Sequence, residues 1–418
     1  MKEEQTDLPL RGFAIIFGSQ TVSLIGSKLV QFSLIWWLTS ITRSATVLAI
    51  ASTMVLLPQV FIGPLSGVYI DRWNRRIVMI VADAIVALIT LVIALLYISN
   101  LIHIWHIYLG IFFRSILGTF QLTAMQASTS LMISDRNLSR VAGLNQSLNA
   151  VANIVAPPLG ALLLTLMPIQ NVLAVDIMTA PLAIIPLLLV TIPKLTHSKK
   201  EMDQSVLFRM KEGMRFLWNW EGLRWILVIA IMINFLTIPT FSLLPIHVKE
   251  FFNKGVIELA WLETTYGIGI IIGGFVLGIR GGFKRRVPMA LLALASTGIG
   301  LIVFGFTPAD LLIMAIASLF LTVFMYTIAN GIIFAILQSI VPSKMQGRVF
   351  TLLISISTSV APLGLIISGP IADTFGVGFW YVVGGLLILL SSIVSFFIPT
   401  IRHIEENANI EISTVIPS

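Results

Sequence analysis

The sequence predicts an all-α membrane protein in which twelve transmembrane helices form two six-helix bundles. Of the 418 residues, 57% are hydrophobic and only 11% are charged, and the mean hydropathy is +0.98. A typical soluble domain carries about 25% charged residues. Apolar runs of membrane-spanning length also recur along almost the whole chain, which supports the same class.

The predicted spans follow from the length that a helix needs in a bilayer. Crossing about 30 Å of hydrocarbon takes roughly 20 mainly apolar residues. Segments that meet this condition are residues 12–39, 45–70, 77–99, 104–132, 141–166, 170–192, 222–247, 259–280, 287–306, 309–338, 350–372 and 378–399. Pro168 and Asn171 mark the turn between the fifth and sixth spans.

The basic residues predict the orientation of these spans. Of the 26 Lys and Arg residues, only Arg43, Lys249 and Lys254 fall on the outer side if the N-terminus is cytoplasmic, and Lys28 and Arg114 lie within spans. All the others are then cytoplasmic, as the positive-inside rule requires. We therefore expect both termini in the cytoplasm. The net charge of +7 needs no nucleic-acid partner.

The longest polar stretch between spans divides the chain. Residues 1–192 are predicted as an N-terminal six-helix bundle, and residues 193–221 as a cytoplasmic linker with an amphipathic helix on the inner membrane surface. Residues 222–400 form the C-terminal six-helix bundle, and 401–418 a cytoplasmic tail. The halves echo each other, since APPLG at 156–160 is answered by APLG at 361–364. Weak internal symmetry of this kind is typical of secondary transporters.

Several function classes are disfavoured by the residues. There is no cysteine, and the chain has no motif for a metal, haem or nucleotide, so no cofactor is expected. It also has no convergent nucleophile and base, which argues against an enzyme. A membrane receptor or scaffold remains as an alternative, although no large soluble domain accompanies the spans. We expect a chain that works as a monomer.

The turn after the second span carries the most specific motif. The spacing Gly67-x-x-x-Asp71-Arg72-x-x-Arg75-Arg76 resembles the signature of the major facilitator superfamily. Arg114-x-x-x-Gly118 in span four resembles another of its elements. Residues 152–160 resemble its antiporter motif, with alanine at both expected leading glycines. The resemblance implies the fold of two six-helix bundles that work by alternating access.

Within the superfamily, further stretches look like the macrolide-efflux branch of bacterial drug exporters. They are SQTVSLI at 19–25, AD at 82–83, AGLNQSL at 142–148, VD at 175–176 and GRVF at 347–350. The resemblance implies a proton-coupled exporter of a small amphipathic, drug-like compound such as a macrolide, in the bacterial inner membrane. Siderophore exporters and lysophospholipid flippases share much of this pattern, so export of an anionic amphiphile is the alternative.

Polar residues inside spans are the candidates for the substrate cavity, because each needs a partner or water. Gln20, Ser23, Ser27 and Gln31 form one stripe on span one. The resemblance implies that spans one, four, seven and ten line the cavity. The predicted cavity residues are Gln20, Gln31, Gln121, Asn149, Asn234, Tyr326 and Asn330. Contacts between helices are the alternative role for these amides.

Two basic residues lie deep within spans, and they are the candidates for proton coupling. Lys28 and Arg114 are too deep to reach the interface freely. Asp176 is their nearest anionic partner in depth, so these three residues are the predicted coupling group, with a structural ion pair as the alternative. Asp83 and Glu263 are placed toward span ends, away from the cavity. The cavity is thus expected to present two bases and no acid, which favours an anionic or neutral substrate.

The loop motif is expected to act as a cytoplasmic gate. Asp71 can meet the positive N-terminus of a neighbouring helix, and Gly67 permits close packing. The resemblance implies that Gly67, Asp71, Arg72, Arg75 and Arg76 latch the second helix against the eleventh. The alternative is that Arg75 and Arg76 only anchor the topology.

Overall fold

The computed structural model describes residues 8–132, 135–190, 206–280, 283 and 285–406, and within these ranges it is helical with no β-strand. Twelve helical segments there are long and apolar enough to cross a membrane. The prediction of an all-α membrane protein with twelve spans is therefore confirmed. The predictions for residues 193–205 and 407–418 concern residues outside the described ones.

The helices follow one another with short connections. The first six are α1 (Leu8–Thr42), α2 (Ala45–Arg72), α3 (Arg75–Ile98), α4 (Ile104–Met132), α5 (Asp135–Leu166) and α6 (Ile169–Leu189). The next five are α7 (Val206–Asn219), α8 (Glu221–Ser242), α9 (Leu244–Ile246), α10 (Val256–Arg280) and α11 (Arg286–Phe306). The last five are α12 (Leu312–Ile340), α13 (Ser343–Ser359), α14 (Ala361–Phe375), α15 (Val377–Phe397) and α16 (Pro399–Arg402).

Prolines explain two departures from the predicted spans. The seventh span was expected to run to residue 247, but α8 ends at Ser242 and is followed by α9 and a π-helical turn, His247–Phe251. Pro245 lacks an N–H and cannot continue the ladder of α8. The eleventh span is divided between α13 and α14, with Pro362 in the first turn of α14, where its missing N–H costs little.

The chain divides into two compact units. Unit 1 comprises Met1–Arg43, Ile50–His197 and Lys254–Thr264, and unit 2 comprises Ser44–Ala49, Ser198–Asn253 and Thr265–Ser418. Unit 1 therefore includes the first turns of α10, and unit 2 includes the first residues of α2. Each unit has its own buried apolar clusters.

In unit 1, α3 shows why its sequence folds with one face inward. Met79, Asp83, Val86 and Thr90 are all buried, and their spacing of three or four residues places them on one helical stripe. Asn74 caps the helix by accepting a hydrogen bond from the backbone N–H of Arg76 at 3.1 Å. The same stripe therefore carries one carboxylate and one hydroxyl into the interior of the unit.

In unit 2, α11 and α15 approach closely along a glycine seam. A Cβ added at Gly298 would lie 2.6 Å from the carbonyl oxygen of Gly385, and one added at Gly305 would lie 2.9 Å from that of Gly378. The two contacts are seven residues apart on both antiparallel helices. Small residues let two helix backbones approach closely. Such close packing holds membrane helices together, because in lipid no hydrophobic force drives one helix against another.

An aromatic cluster surrounds His247 in the π-helical turn. The imidazole stacks on Phe251 with ring centroids 4.8 Å apart, and Phe304 and Tyr381 contact it at 5.4 Å and 4.8 Å. The side chain is fully buried. Burial lowers the pKa of His247 to about 3, so the ring is neutral at physiological pH.

The N-terminus of α2 is capped by Asp373 within unit 2. One carboxylate oxygen accepts from the backbone N–H of Ala45 at 2.5 Å, and the other accepts from the N–H of Thr46 at 3.0 Å and the hydroxyl of Ser44 at 2.9 Å. A carboxylate at this position satisfies free backbone donors and complements the helix dipole. The contact joins the ends of α14 and α2.

We expect Asp373→Ala to lower the thermal unfolding midpoint of the purified protein. Loss of a cap of this kind costs about 0.5–2 kcal/mol, and three donors lose their acceptor here. Asp310→Ala is the matched control, because Asp310 is an exposed acid in a turn. Tryptophan fluorescence during heating measures both variants, and equal midpoints for Asp373→Ala and the wild type would contradict the capping role.

Candidate functional site

A cavity of about 800 Å³ lies within unit 1. Its wall is built by α1, α2, α4 and α5, with Val86 of α3 and the first turns of α10. It includes apolar side chains such as Leu24, Ile35 and Ile111. The predicted site residues that line it are Gln20, Lys28, Gln31, Arg114, Gln121 and Asn149. Drug-sized ligands occupy cavities of roughly 300–1,000 Å³, so the volume suits a ligand of that size.

Arg114 at the cavity wall forms an ion pair with Asp176 behind it. Nη1 of Arg114 lies 2.5 Å from Oδ2 of Asp176, and the two side chains are 10% and 2% exposed. The hydroxyls of Ser27 and Thr90 donate to the same carboxylate at 2.7 Å and 2.8 Å, and Arg114 also contacts the Thr90 hydroxyl. The carboxylate thus has one oppositely charged partner and two neutral hydrogen-bond donors. A buried charge needs both kinds of partner to offset the loss of its water.

Lys28 has a different partner from the one expected. Its ammonium donates to Oδ1 of Asn153 on α5, and it makes no ion pair with Asp176 in the described part of the chain. Lys28 is nevertheless the neighbour of Ser27, which reaches Asp176 from the same turn of α1. The structure therefore brings Arg114 and Asp176 together and leaves Lys28 beside them, in contact with a neutral amide.

A polar cluster around Asp83 was missed in the sequence. Gln20 donates to one oxygen of Asp83 at 2.9 Å, Gln121 donates to the other at 2.5 Å, and Gln121 also donates to the Gln20 carbonyl at 2.8 Å. Both glutamines line the cavity, while Asp83 is buried behind them. The signal was the position of Asp83 on the buried stripe of α3, seven residues before Thr90.

Glu263 is a second residue that the sequence did not place at the cavity. It lies two turns into α10 and lines the cavity wall with Lys28 and Arg114. The expectation of two bases and no acid is therefore wrong. The physical reason is that the first turns of α10 belong to unit 1, which no single-sequence pattern reveals. The preference for an anionic or neutral substrate loses its basis.

The other three predicted cavity residues lie in unit 2. Asn234, Tyr326 and Asn330 line a small, mostly apolar pocket of about 90 Å³ between α8, α11 and α12. The amide of Asn234 donates to the carbonyl of Ala230, and that of Asn330 donates to the carbonyl of Tyr326, both within their own helices. These side chains do not converge on one ligand-sized space within unit 2.

The loop motif is held by contacts that reach beyond the turn. Arg75 donates to the carbonyl of Ala127 at 2.8 Å and lies 3.4 Å from the Asp71 carboxylate, and Arg76 donates to the carbonyl of Leu188. These bonds attach the start of α3 to the ends of α4 and α6. Arg72 is exposed. A Cβ added at Gly67 would meet no described atom within 4 Å, so the surface beside it is open.

Comparison with known proteins assigns the family. The model of the Major Facilitator Superfamily matches residues 16–365. The chain belongs to the major facilitator superfamily. Macrolide efflux protein A of Streptococcus pyogenes is 32% identical over 393 residues, which cover 94% of this chain and 97% of that protein. The multidrug efflux pump Tap of Mycolicibacterium fortuitum is 25% identical over 373 residues, covering 86% and 88%.

Solved structures agree with this fold. The bacterial homologue of the human lysosomal transporter Spinster matches with a TM-score of 0.71 at 13% identity, covering 99% of this chain and 100% of that one. The bacterial homologue of the iron transporter ferroportin matches with a TM-score of 0.68 at 15% identity, covering 92% and 98%. The chain is thus a multi-pass membrane transporter with macrolide and multidrug efflux relatives, not an enzyme. In the described residues, no group of His, Asp or Glu is placed to hold a metal ion.

Proposed function

We propose that this protein exports amphipathic drug-like compounds of the macrolide class from the bacterial cytoplasm, coupled to protons. The observation that carries the proposal is the cavity of about 800 Å³ in unit 1, with apolar walls and a few polar groups, in a member of a transporter superfamily. The names of the macrolide and multidrug efflux relatives support the substrate class.

The proposed setting follows the charge distribution of the sequence. The chain sits in the bacterial inner membrane with both termini cytoplasmic, and it acts as a monomer by opening the cavity to one side at a time. Gly67, Asp71, Arg72, Arg75 and Arg76 act as the cytoplasmic gate. The bonds of Arg75 and Arg76 to backbone carbonyls support this role, because they tie the motif to two further helices.

Proton coupling is assigned to Asp176 and Arg114, with Lys28 beside them. A proton bound by an Asp176 oxygen cancels the charge that holds Arg114, and release of that proton restores the pair. Ser27 and Lys28 are consecutive on α1 and both line the cavity. A change in the protonation of Asp176 therefore alters the hydrogen bonds of a residue at the place where we propose that substrate binds. The position of the carboxylate supports this assignment, because it is paired with Arg114 at the cavity wall and bonded to Ser27 on α1.

Export of an anionic amphiphile would need free basic groups in the cavity. Arg114 is paired with Asp176, and Glu263 adds a carboxyl group to the wall. The relatives described above are macrolide and multidrug efflux proteins, so we do not propose this alternative.

Liposomes with purified protein and an internal pH-sensitive dye test the proposal. We expect a macrolide to drive proton movement, and a protein-free liposome to show none. A siderophore and a lysophospholipid are the comparison cargoes. Proton movement with only the anionic compounds would overturn the macrolide assignment, and macrolide transport without proton movement would overturn the coupling.

A further inference from the structure

Glu263 is the one ionisable side chain of the cavity wall for which the described residues supply no partner. Arg114 is matched by Asp176, and Lys28 is held by Asn153. For Glu263, the described part of the chain provides neither a hydrogen bond nor an ion pair. The side chain is half-buried in the wall of the cavity. Its oxygens are therefore free to accept bonds from a ligand.

An ionised carboxylate in this position is costly until a donor meets it. Its two oxygens offer about four lone-pair sites, and removal from bulk water without compensation is unfavourable. A ligand ammonium would supply both a charge and an N–H donor, and charge-assisted hydrogen bonds are roughly twice as strong as neutral ones. A neutral ligand would leave this requirement unmet, and an anionic one would be repelled.

The rest of the wall sets the shape of the ligand that fits. Leu24, Ile35, Val55, Ile111 and Leu122 contribute apolar surface to the same cavity. The cavity volume of about 800 Å³ suits a drug-sized molecule. An apolar body with one protonated amine therefore matches the cavity better than a polycation, which would meet Lys28 and Arg114 as well.

We propose that Glu263 is the cation-recognition residue of the cavity, and that the preferred substrates are hydrophobic compounds carrying a single protonated amine. This inference rests on the proposed export function and names the substrate class of the same site. It assigns the positive end of the substrate to the α10 side of the cavity. The apolar body lies along α1, α2 and α4.

The test compares two macrolides that differ at one nitrogen of the amino sugar. One carries the protonated dimethylamino group, and in the other an acetyl group replaces one of the two methyl groups, so that the nitrogen is a neutral amide. Binding to the purified full-length protein is measured by calorimetry for the wild type, Glu263→Gln and Glu258→Gln. Glu258 is the matched control, because it lies on the same helix, bonds to the backbone N–H of Gly255 and does not line the cavity.

We expect Glu263→Gln to weaken binding of the amine macrolide by tenfold or more and to leave the acylated macrolide unchanged. Glu258→Gln should bind both as the wild type does. An equal loss for both macrolides would show that Glu263 only maintains the structure of the cavity. Unchanged binding of the amine macrolide would place cation recognition elsewhere. Either result overturns the proposal.

A second probe separates this inference from the export proposal. Tetraphenylphosphonium and tetraphenylborate have the same shape and opposite charges. If the wild type transports no macrolide but binds the cation in a Glu263-dependent manner, the export proposal fails and the recognition role stands. If the wild type binds neither the amine macrolide nor the cation, or prefers the borate, the recognition role fails.

Discussion

Asp176→Asn is expected to reduce export to the level of cells that lack the protein, while the variant is still made and inserted. The substitution keeps the size of the side chain and removes its charge, so Arg114 loses the carboxylate that lies 2.5 Å away. Removing one partner of a buried pair costs about 3–5 kcal/mol. A change of only about 1.4 kcal/mol shifts an equilibrium tenfold. We therefore expect the equilibrium between the two states of the cavity, each open to one side, to shift so far that export stops.

Two variants separate a coupling role from a structural one. Ser27→Ala removes one neutral hydrogen bond to the same carboxylate and leaves the ion pair, so we expect near-normal export. The double variant Arg114→Gln with Asp176→Asn removes both charges, and it should recover the thermal stability that Asp176→Asn loses. It should not recover proton-coupled transport, because no titrating group remains at that position.

The measurements are macrolide accumulation in cells with matched protein levels and the unfolding midpoint of each purified variant. If the double variant transports the macrolide and moves protons like the wild type, the pair is structural and another carboxylate carries the proton. The buried Asp83, held by Gln20 and Gln121, would then be the group to replace next.

The spans and the family were readable from the sequence because both rest on local patterns. Hydrocarbon thickness fixes the length of an apolar run, and the turn at 67–76 carries its motif in consecutive residues. The proximity of Arg114 and Asp176 was also predictable, since both lie at a similar depth in their spans. The depth of a residue in the membrane follows from its position along its span, which the sequence gives.

The remaining contacts of the site depend on rotation about each helix axis, which sequence position does not provide. Lys28 meets Asn153 instead of Asp176 because α5 presents that amide to α1. Glu263 reaches the cavity because the first turns of α10 belong to unit 1. In both cases the sequence indicates that a polar group inside a span needs a partner or water, but it does not indicate which neighbours surround that group.

The glycine seam leads to the second large effect, which concerns folding. We expect Gly298→Ala to lower the thermal unfolding midpoint and the yield of folded protein. The new Cβ would lie 2.6 Å from the Gly385 carbonyl oxygen and 2.8 Å from the Leu389 nitrogen. Both are backbone atoms, so the helices themselves have to separate. Overpacking of a close contact typically costs about 1–3 kcal/mol.

The matched control is Gly274→Ala on α10, where an added Cβ would meet no described atom within 4 Å. Alanine has a higher helix propensity than glycine by about 0.8–1.0 kcal/mol, so this variant should be as stable as the wild type or more stable. The two substitutions are chemically identical and have opposite expected signs, because only the neighbouring backbone differs. A fall in the midpoint of both variants would mean that loss of glycine flexibility destabilises the protein, and the close approach of α11 and α15 would not be the cause.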